Sequence, residues 1–223
     1  MRPGRARKTA RSRMRLRDRG TPAARKKETR TERRDAILDA ALAEFAAQGF
    51  AATRLDDIAR RAGVAKGTLY LYFRDKESLF KELVRSRLSP LVGAIRTAAA
   101  RDLSVRALVE LILNVFLTEI YGTSRKDIIR LIISEGPRFP ELAEFYHREV
   151  IARVLPLLRR RLRQAVKSGE LRHDALVRFP QLLVAPALVA ILWSALFGRF
   201  SPLDARAFLR AHLEVLFPES ARP

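Results

Sequence analysis

The chain has 223 residues, 48% of them hydrophobic, enough for one or two folded domains with a sizeable core. Lys and Arg number 44 against 24 Asp and Glu, and the formal charge of +20 points to a partner rich in negative charge. The lack of cysteine excludes disulfides, thiolate zinc sites, iron–sulfur clusters and cysteine nucleophiles, and no G-x-G-x-x-G or G-x-x-x-x-G-K-[ST] loop is present to cradle a nucleotide, so an enzyme is the less favoured class.

Residues 1–30 hold thirteen Lys or Arg against Asp18 and Glu28, more than half of the net charge. With almost no large apolar side chains and breaks at Gly20 and Pro22, this segment cannot fold alone and is expected to be a disordered basic tail. A solvated tail, an arm attracted to phosphates and an Arg-rich transit peptide are its three readings; no apolar stretch makes it a secretory signal. Residues 31–80 are neutral by count, so any chemistry there comes from placement.

Thr29-x-x-Glu32 has the form of a capping box, and Ile37, Leu38, Ala41, Leu42 and Phe45 recur at helical spacing, which predicts a helix over 31–48. Gly49 supplies its left-handed end and Phe50 folds back on the last turn. Thr53-x-x-Asp56 opens a short helix carrying Leu55, Ile58, Ala59 and Ala62 and closed by Gly63, with the Thr53 hydroxyl as its cap. A tight Val64-Ala65 connection leads to a second short helix from Lys66, and Asp75 is the N-cap of the next, which bears Leu79, Leu83 and Val84. Beyond Pro90 the pattern predicts helices near 91–100, 104–121, 125–134, 140–168, 175–198 and 204–217. No strand signal appears, and the chain reads as all-α: a helix-turn-helix domain over 31–80, a larger helical domain over 81–217 for ligand binding and dimerisation, and a short tail from 218 to 223.

Thr53 to Lys76 reads as a helix-turn-helix. At 100° per residue Leu69 and Phe73 share one side with Ala65, while Gly67, Thr68 and Leu71 face outward, flanked by Tyr70 and Tyr72. That outward face suits a major groove: Gly67 permits close approach, Thr68 hydrogen-bonds a phosphate or base edge, Leu71 meets a thymine methyl, and the tyrosine hydroxyls reach flanking phosphates. Packing within the small domain is the competing role for both tyrosines, and plain exposure the one for Leu71. Lys66 is expected to pair with a phosphate or a guanine edge, and Lys76 with a phosphate at the next helix start. Thr53 either only caps its helix or caps it and offers its backbone amide to the same strand.

The residues Ala36-Ile-Leu-Asp-Ala-Ala-x-x-x-Phe45, Gly49-Phe50, Thr53, Asp57-Ile-Ala59, Ala62-Gly-Val64, Lys66-Gly-Thr-Leu-Tyr-x-Tyr-Phe73 and Lys76-Glu-x-Leu79 together resemble the TetR family of bacterial transcriptional regulators. The resemblance implies a homodimer, one amino-terminal DNA-binding domain per subunit and a divergent helical domain that takes a small molecule. Ala65 stands where the family usually has a serine cap, and Arg54 and Asp56 replace commoner Thr and Arg; these departures bear on the operator sequence rather than the fold. Arg130-Leu-x-x-x-Glu135-Gly-Pro-Arg-Phe-Pro-Glu-Leu142 is similar to the AefR-like subgroup, related to efflux control, although a packing hinge at Gly136-Pro137 and Pro140 accounts for it equally.

Two joined copies engage successive major grooves where one binds weakly, so a homodimer is expected on physical grounds as well. Its surface is assigned to the two C-terminal helices, 175–198 and the last, with Phe208, Leu209, Leu213, Leu216 and Phe217 on the latter, forming a four-helix bundle across a two-fold axis. An unidentified, largely apolar effector is expected in a cavity lined by Phe116, Tyr121, Phe145, Tyr146, Trp193 and Phe197, each of which also suits plain core packing. His147, His173 and His212 have no paired spacing, so neither a metal nor a cofactor is expected. The uncharged stretch Gln181–Phe197 is interrupted by Pro186 and follows Pro180, and a buried helix is favoured over a membrane span. The leading expectation is a cytoplasmic repressor binding a palindromic double-stranded DNA operator; the alternative is a basic peripheral membrane protein.

Overall fold

Pro22, whose missing N–H costs nothing at a helix start, is the first residue of α1 (Pro22–Ala52) in the computed structural model, which describes residues 22–218. The helix thus starts about two turns before Thr29, and the capping box at 29–32 is not its beginning. Ala23, Ala24 and the Arg-Lys-Lys-Glu run after them are good helix formers, and their propensity carries the helix backward from the apolar repeat. Most of the expected basic tail, residues 1–21, and all but the first residue of the tail at 218–223 lie outside the described residues.

Spatial contacts divide the chain into two compact units, one ending at Ala36 and the other running from Ile37 onward. In the second unit α1 breaks at Gly49, where φ is +77° and ψ 164°, a combination open essentially only to glycine. After the break come α2 (Leu55–Arg61), α3 (Lys66–Tyr72) and α4 (Lys76–Arg87). Gly63 takes φ +65° in the turn between α2 and α3. Asp75 forms a capping box with Ser78: its carboxylate accepts from the Ser78 amide at 2.7 Å, and the Ser78 hydroxyl reaches back to the Asp75 backbone.

The remaining elements are α5 (Ser89–Ala99), α6 (Val105–Val115), α7 (Arg125–Glu135), α8 (Pro140–Tyr146), α9 (Ala152–Lys167), α10 (Ala175–Arg178), α11 (Ala185–Leu196) and α12 (Ala205–Leu216). A wider, π-helical stretch continues α6 through Phe116–Tyr121, and another, His147–Ile151, joins α8 to α9. The helix expected over 175–198 is instead three pieces. Phe179 before Pro180 is forced out of helical geometry (φ −124°, ψ 68°), a 3-10 turn spans Pro180–Leu183, and Pro186 sits in the first turn of α11. No strand occurs among the described residues.

Two apolar clusters hold the second unit together. The first joins Ile37, Leu38, Ala41 and Phe45 of α1 to Ile58, Leu69, Phe73, Leu79 and Phe80, and then continues past position 80 to Ile128, Leu131, Leu142 and Phe145 of α7 and α8. Residues of the helix-turn-helix therefore share one interior with part of the larger helical region. The second cluster lies among α6, α9, α11 and α12, around Leu108, Ile112, Leu158, Leu162, Ile191 and Leu209.

Candidate nucleic-acid interface

Position on α3 is set by burial on one side. Leu69 is fully buried and Phe73, the C-cap, nearly so, as the helical angles require. Ala65 does not join them: it is the N-cap, with extended backbone at ψ 145°, and points into solvent. Without a side-chain oxygen it makes no cap hydrogen bond.

On the other side Leu71 is 81% exposed and Tyr70 47% exposed, with Gly67 open and Thr68 half-buried between them. A methyl group built on Gly67 meets nothing within 4 Å, and its φ is not positive, so nothing inside the protein demands glycine there. Tyr72 behaves differently from Tyr70. It is half-buried against the first cluster, with its ring 6.4 Å from that of Phe73.

The two lysines are not equivalent either. Lys66 Nζ lies 2.9 Å from the Asp56 carboxylate, with both side chains more than half exposed. The hydrogen bond and charge of Asp56 push the lysine above its ordinary value, so it stays cationic throughout the physiological range. Lys76, expected on a phosphate, is turned inward. Its ammonium donates to the carbonyls of Phe50 (2.6 Å) and Ala51 (2.7 Å), with that of Thr53 at 3.4 Å, and sits 4.9 Å from the centre of the Phe50 ring. The break at Gly49 leaves the last carbonyls of α1 short of partners, and this negative helix end draws the cation in. Desolvation lowers the Lys76 pKa, opposed by the charge of Glu135 and aided by that of Arg138.

Thr53 also departs from expectation. Its buried hydroxyl donates to the Gly49 carbonyl at 2.7 Å, while Arg54, one residue later, is the N-cap of α2 and makes no side-chain cap bond. The α1 break again explains the choice, since it frees the carbonyl that the hydroxyl satisfies. Under this turn the buried Glu44 accepts from Arg61 Nη1 at 2.7 Å and from Gln48 Nε2 at 2.6 Å, tying the end of α2 to α1. Asp75 caps α4, the helix that follows α3. Burial alone would raise its pKa, but hydrogen bonds from Ser78 and the Arg74 contact outweigh burial and hold it below the ordinary carboxylate range.

Sequence reasoning placed Arg54 only as a departure from a pattern, and Asp56 as a departure and as part of the signal opening the second helix. The structure leaves both exposed, Asp56 holding Lys66 of α3 and Arg54 leading into α2. A carboxylate ten residues before a lysine, across a turn, was the available signal.

The six residues expected around an effector do not line one cavity. Phe116 and Tyr121 belong to the second cluster, 6.1 Å apart by ring centres. Phe145 is buried in the first cluster, with the charged ends of Lys81, Arg85 and Arg148 over its ring at 5.8, 5.0 and 5.2 Å. Tyr146 packs beside that cluster, and burial pushes its hydroxyl up to about 12. Trp193 and Phe197, 5.1 Å apart, lie exposed on and just after α11. Spacing on a helix fixes a residue's face but not which helices meet, and α7 and α8 carry Phe145 away from Phe116.

Around Trp193 and Phe197 the apolar side chains Leu188, Val189, Leu192 and Leu196 are also exposed, as is Phe200, whose ring lies 4.7 Å from the Arg199 guanidinium. The last helix contributes less than expected. Leu209 and Leu213 are buried in the second cluster, Phe208, Leu216 and Phe217 pack against it, and Val215 is the large apolar residue of α12 left in solvent.

Residues 37–83 match the model of the bacterial regulatory proteins of the tetR family, and residues 106–213 match the C-terminal domain of AefR-like transcriptional repressors. The transcriptional repressor KstR2 of Rhodococcus jostii is 32% identical over 170 residues, 72% of this chain and 79% of KstR2. The chain belongs to the TetR family. The TetR-family chain is thus a transcriptional regulator with a DNA-binding helix-turn-helix, not an enzyme. The regulator SrpR of Pseudomonas putida is 33% identical over 63% of this chain, a match spanning 64% of SrpR's own length. The crystal structure of the regulator FadR from Bacillus subtilis, in complex with stearoyl-CoA, superposes with a TM-score of 0.64 at 21% identity, covering 82% of this chain and 97% of FadR. TetR-family regulators bind DNA, dimerise and respond to small molecules. The peripheral-membrane reading has no counterpart among these relatives, and among the described residues no helix is long and apolar enough to cross a membrane.

Proposed function

We propose that this regulator is a cytoplasmic repressor that docks α3 in the major groove of a palindromic operator, one α3 per half-site of a homodimer, and leaves it when a small molecule with a large apolar part binds. The observation that carries the reading is α3 itself: a seven-residue helix with Leu69 fully buried on one side and Leu71 81% exposed on the other. Gly67, Thr68, Tyr70 and Leu71 are the groove-facing residues, with Lys66 reaching a phosphate once it lets go of Asp56. Tyr72 is left to hold α3 in place through its ring, and Lys76 and Thr53 to shape the turn from which α2 starts, with the exposed main chain of that turn facing the same strand.

The two copies meet through the apolar face of α11, with Val215 of α12 at its margin, since a surface of that breadth is costly to leave in water. The FadR structure carries stearoyl-CoA, which favours an effector with a long apolar part. Efflux genes are the favoured targets on the AefR-like match alone. Selection of bound fragments from random duplex DNA, followed by titration of the selected site against a scrambled one at several salt concentrations, tests the reading. A palindromic consensus bound on the order of 10³-fold more tightly than the scrambled duplex is expected. Equal affinity for the two duplexes overturns it.

A further inference from the structure

A groove of about 910 Å³ opens where the amino end of α6, α10 and the chain leaving α12 come together. It is distant in sequence from α3 and is lined by none of the six residues first assigned to an effector. Its volume is in the range of sites that bury a small molecule. The floor is aliphatic and firmly held: Leu176 belongs to the second cluster, and Leu171, Leu216 and Phe217 pack against it.

The rim has the opposite chemistry. Arg106, Arg172 and His173 stand around the opening. One N–H of the Arg106 guanidinium donates to the Phe217 carbonyl at 2.8 Å, which fixes the side chain and leaves its remaining donors available. Arg172 and His173 are exposed and make no hydrogen bond or ion pair among the described residues. The single acid of the lining, Glu170, is committed elsewhere: its carboxylate accepts from the Val105 amide at the start of α6, where the helix end offsets its charge.

An apolar trough with the guanidinium groups of Arg106 and Arg172 at one edge matches a molecule built the same way. We infer that this groove is a binding site for an amphiphilic anion, an aliphatic chain ending in a carboxylate or phosphate, with the chain on Leu171, Leu176 and Leu216 and the head at Arg172 and Arg106. A neutral hydrocarbon leaves the cations unanswered, and a cationic amphiphile is repelled by them. The site stands apart from the DNA-reading face and does not depend on it.

The test uses the full-length protein with dodecanoate, dodecyl phosphate and dodecyltrimethylammonium, each below its micelle concentration, by titration calorimetry. Both anions are expected to bind once per chain and the cation not at all; the ratio of the two anion affinities tells which head the rim prefers. Arg172→Glu is expected to weaken dodecanoate by about tenfold or more, while Arg172→Lys stays near the parent, because a charge reversal at the rim changes the sign of the attraction. Arg172 is exposed, and unchanged operator binding by both variants separates a failure here from a failure of DNA reading. A photoreactive dodecanoate is expected to label residues 171–176 and 215–217. Label concentrated around Phe116 and Tyr121, equal uptake of the cationic amphiphile, or tight binding gained only when residues 219–223 are deleted overturns the site as an amphiphile site of the intact chain. So does attachment to phosphatidylglycerol vesicles without uptake of the single molecules.

Discussion

Two surfaces of this protein leave large side chains in water, and they do so with different chemistry. On α3 the open residues are Lys66, Gly67, Tyr70 and Leu71, a cationic, a small, a hydroxylated and a single aliphatic group, with Arg74 close by in sequence. On α11 and just beyond, seven apolar residues from Leu188 to Phe200 are open without a charge between Leu188 and Phe197. The first surface can be wetted and can meet phosphates; the second is apolar along α11, with Arg199 beside Phe200 just beyond it. The contrast teaches that exposure alone does not define an interface, whereas the mix of groups exposed identifies what covers it.

The α11 face gives the largest expected effect. Leu196→Glu combined with Phe197→Glu places two charges on it without touching the interior, and the protein is expected to sediment as a monomer. Operator affinity then falls on the order of 10²-fold or more, because the second half-site is no longer tethered. A variant that still sediments as a dimer would move the interface away from α11.

Next comes Gly67→Ala, which separates the two roles a helix residue can have. The added methyl has free space and improves helix propensity, so a urea titration is expected to show stability unchanged or raised by up to about 1 kcal/mol. Operator affinity is expected to fall about tenfold, the direction opposite to stability, since the backbone can no longer approach a base edge. A gain or no change in affinity would remove Gly67 from the contact surface.

Asp75→Ala removes the N-cap of α4, the helix that follows α3, and is expected to cost about 1 kcal/mol in the same titration. The Asp75 carboxyl is held below its ordinary value in the folded protein, so its contribution is complete well above about pH 3.9 and is lost as the pH falls through the lowered folded value. The gap between parent and variant is therefore expected to be the same at pH 7 and pH 6 and to close in strong acid.

Asp56→Asn is the smallest change. It frees Lys66 from its exposed partner, and affinity for non-specific duplex is expected to rise a few-fold, with the slope of log affinity against log salt steeper by about one. An unchanged slope would show that Lys66 does not reach a phosphate.

Much of this was legible in the sequence. The order of α1 to α4, the break at Gly49, the cap at Asp75 and the buried side of α3 all follow from contacts within a few residues, where periodicity and turn chemistry decide. Lys76 was not legible, because its partners are main-chain carbonyls of Phe50 and Ala51, some 25 residues away, freed by a kink whose reach no spacing reveals. Nor was the fate of the aromatics, since Phe145 and Phe116 sit on helices of similar pattern that turn to different interiors. The two prolines, Pro180 and Pro186, were visible as interruptions, but only tertiary packing settled that the chain re-forms as a 3-10 turn and a shorter helix.

The first apolar cluster, which runs from α1 through α3 to Phe145, has a practical bearing on protein engineering. A chimera joined near residue 80, with a foreign sensor grafted behind this reading head, would inherit Ile58, Leu69 and Phe80 without Ile128, Leu131 and Leu142 to close over them. The seam for such a transplant should follow that shared interior and carry α7 and α8 along with the head.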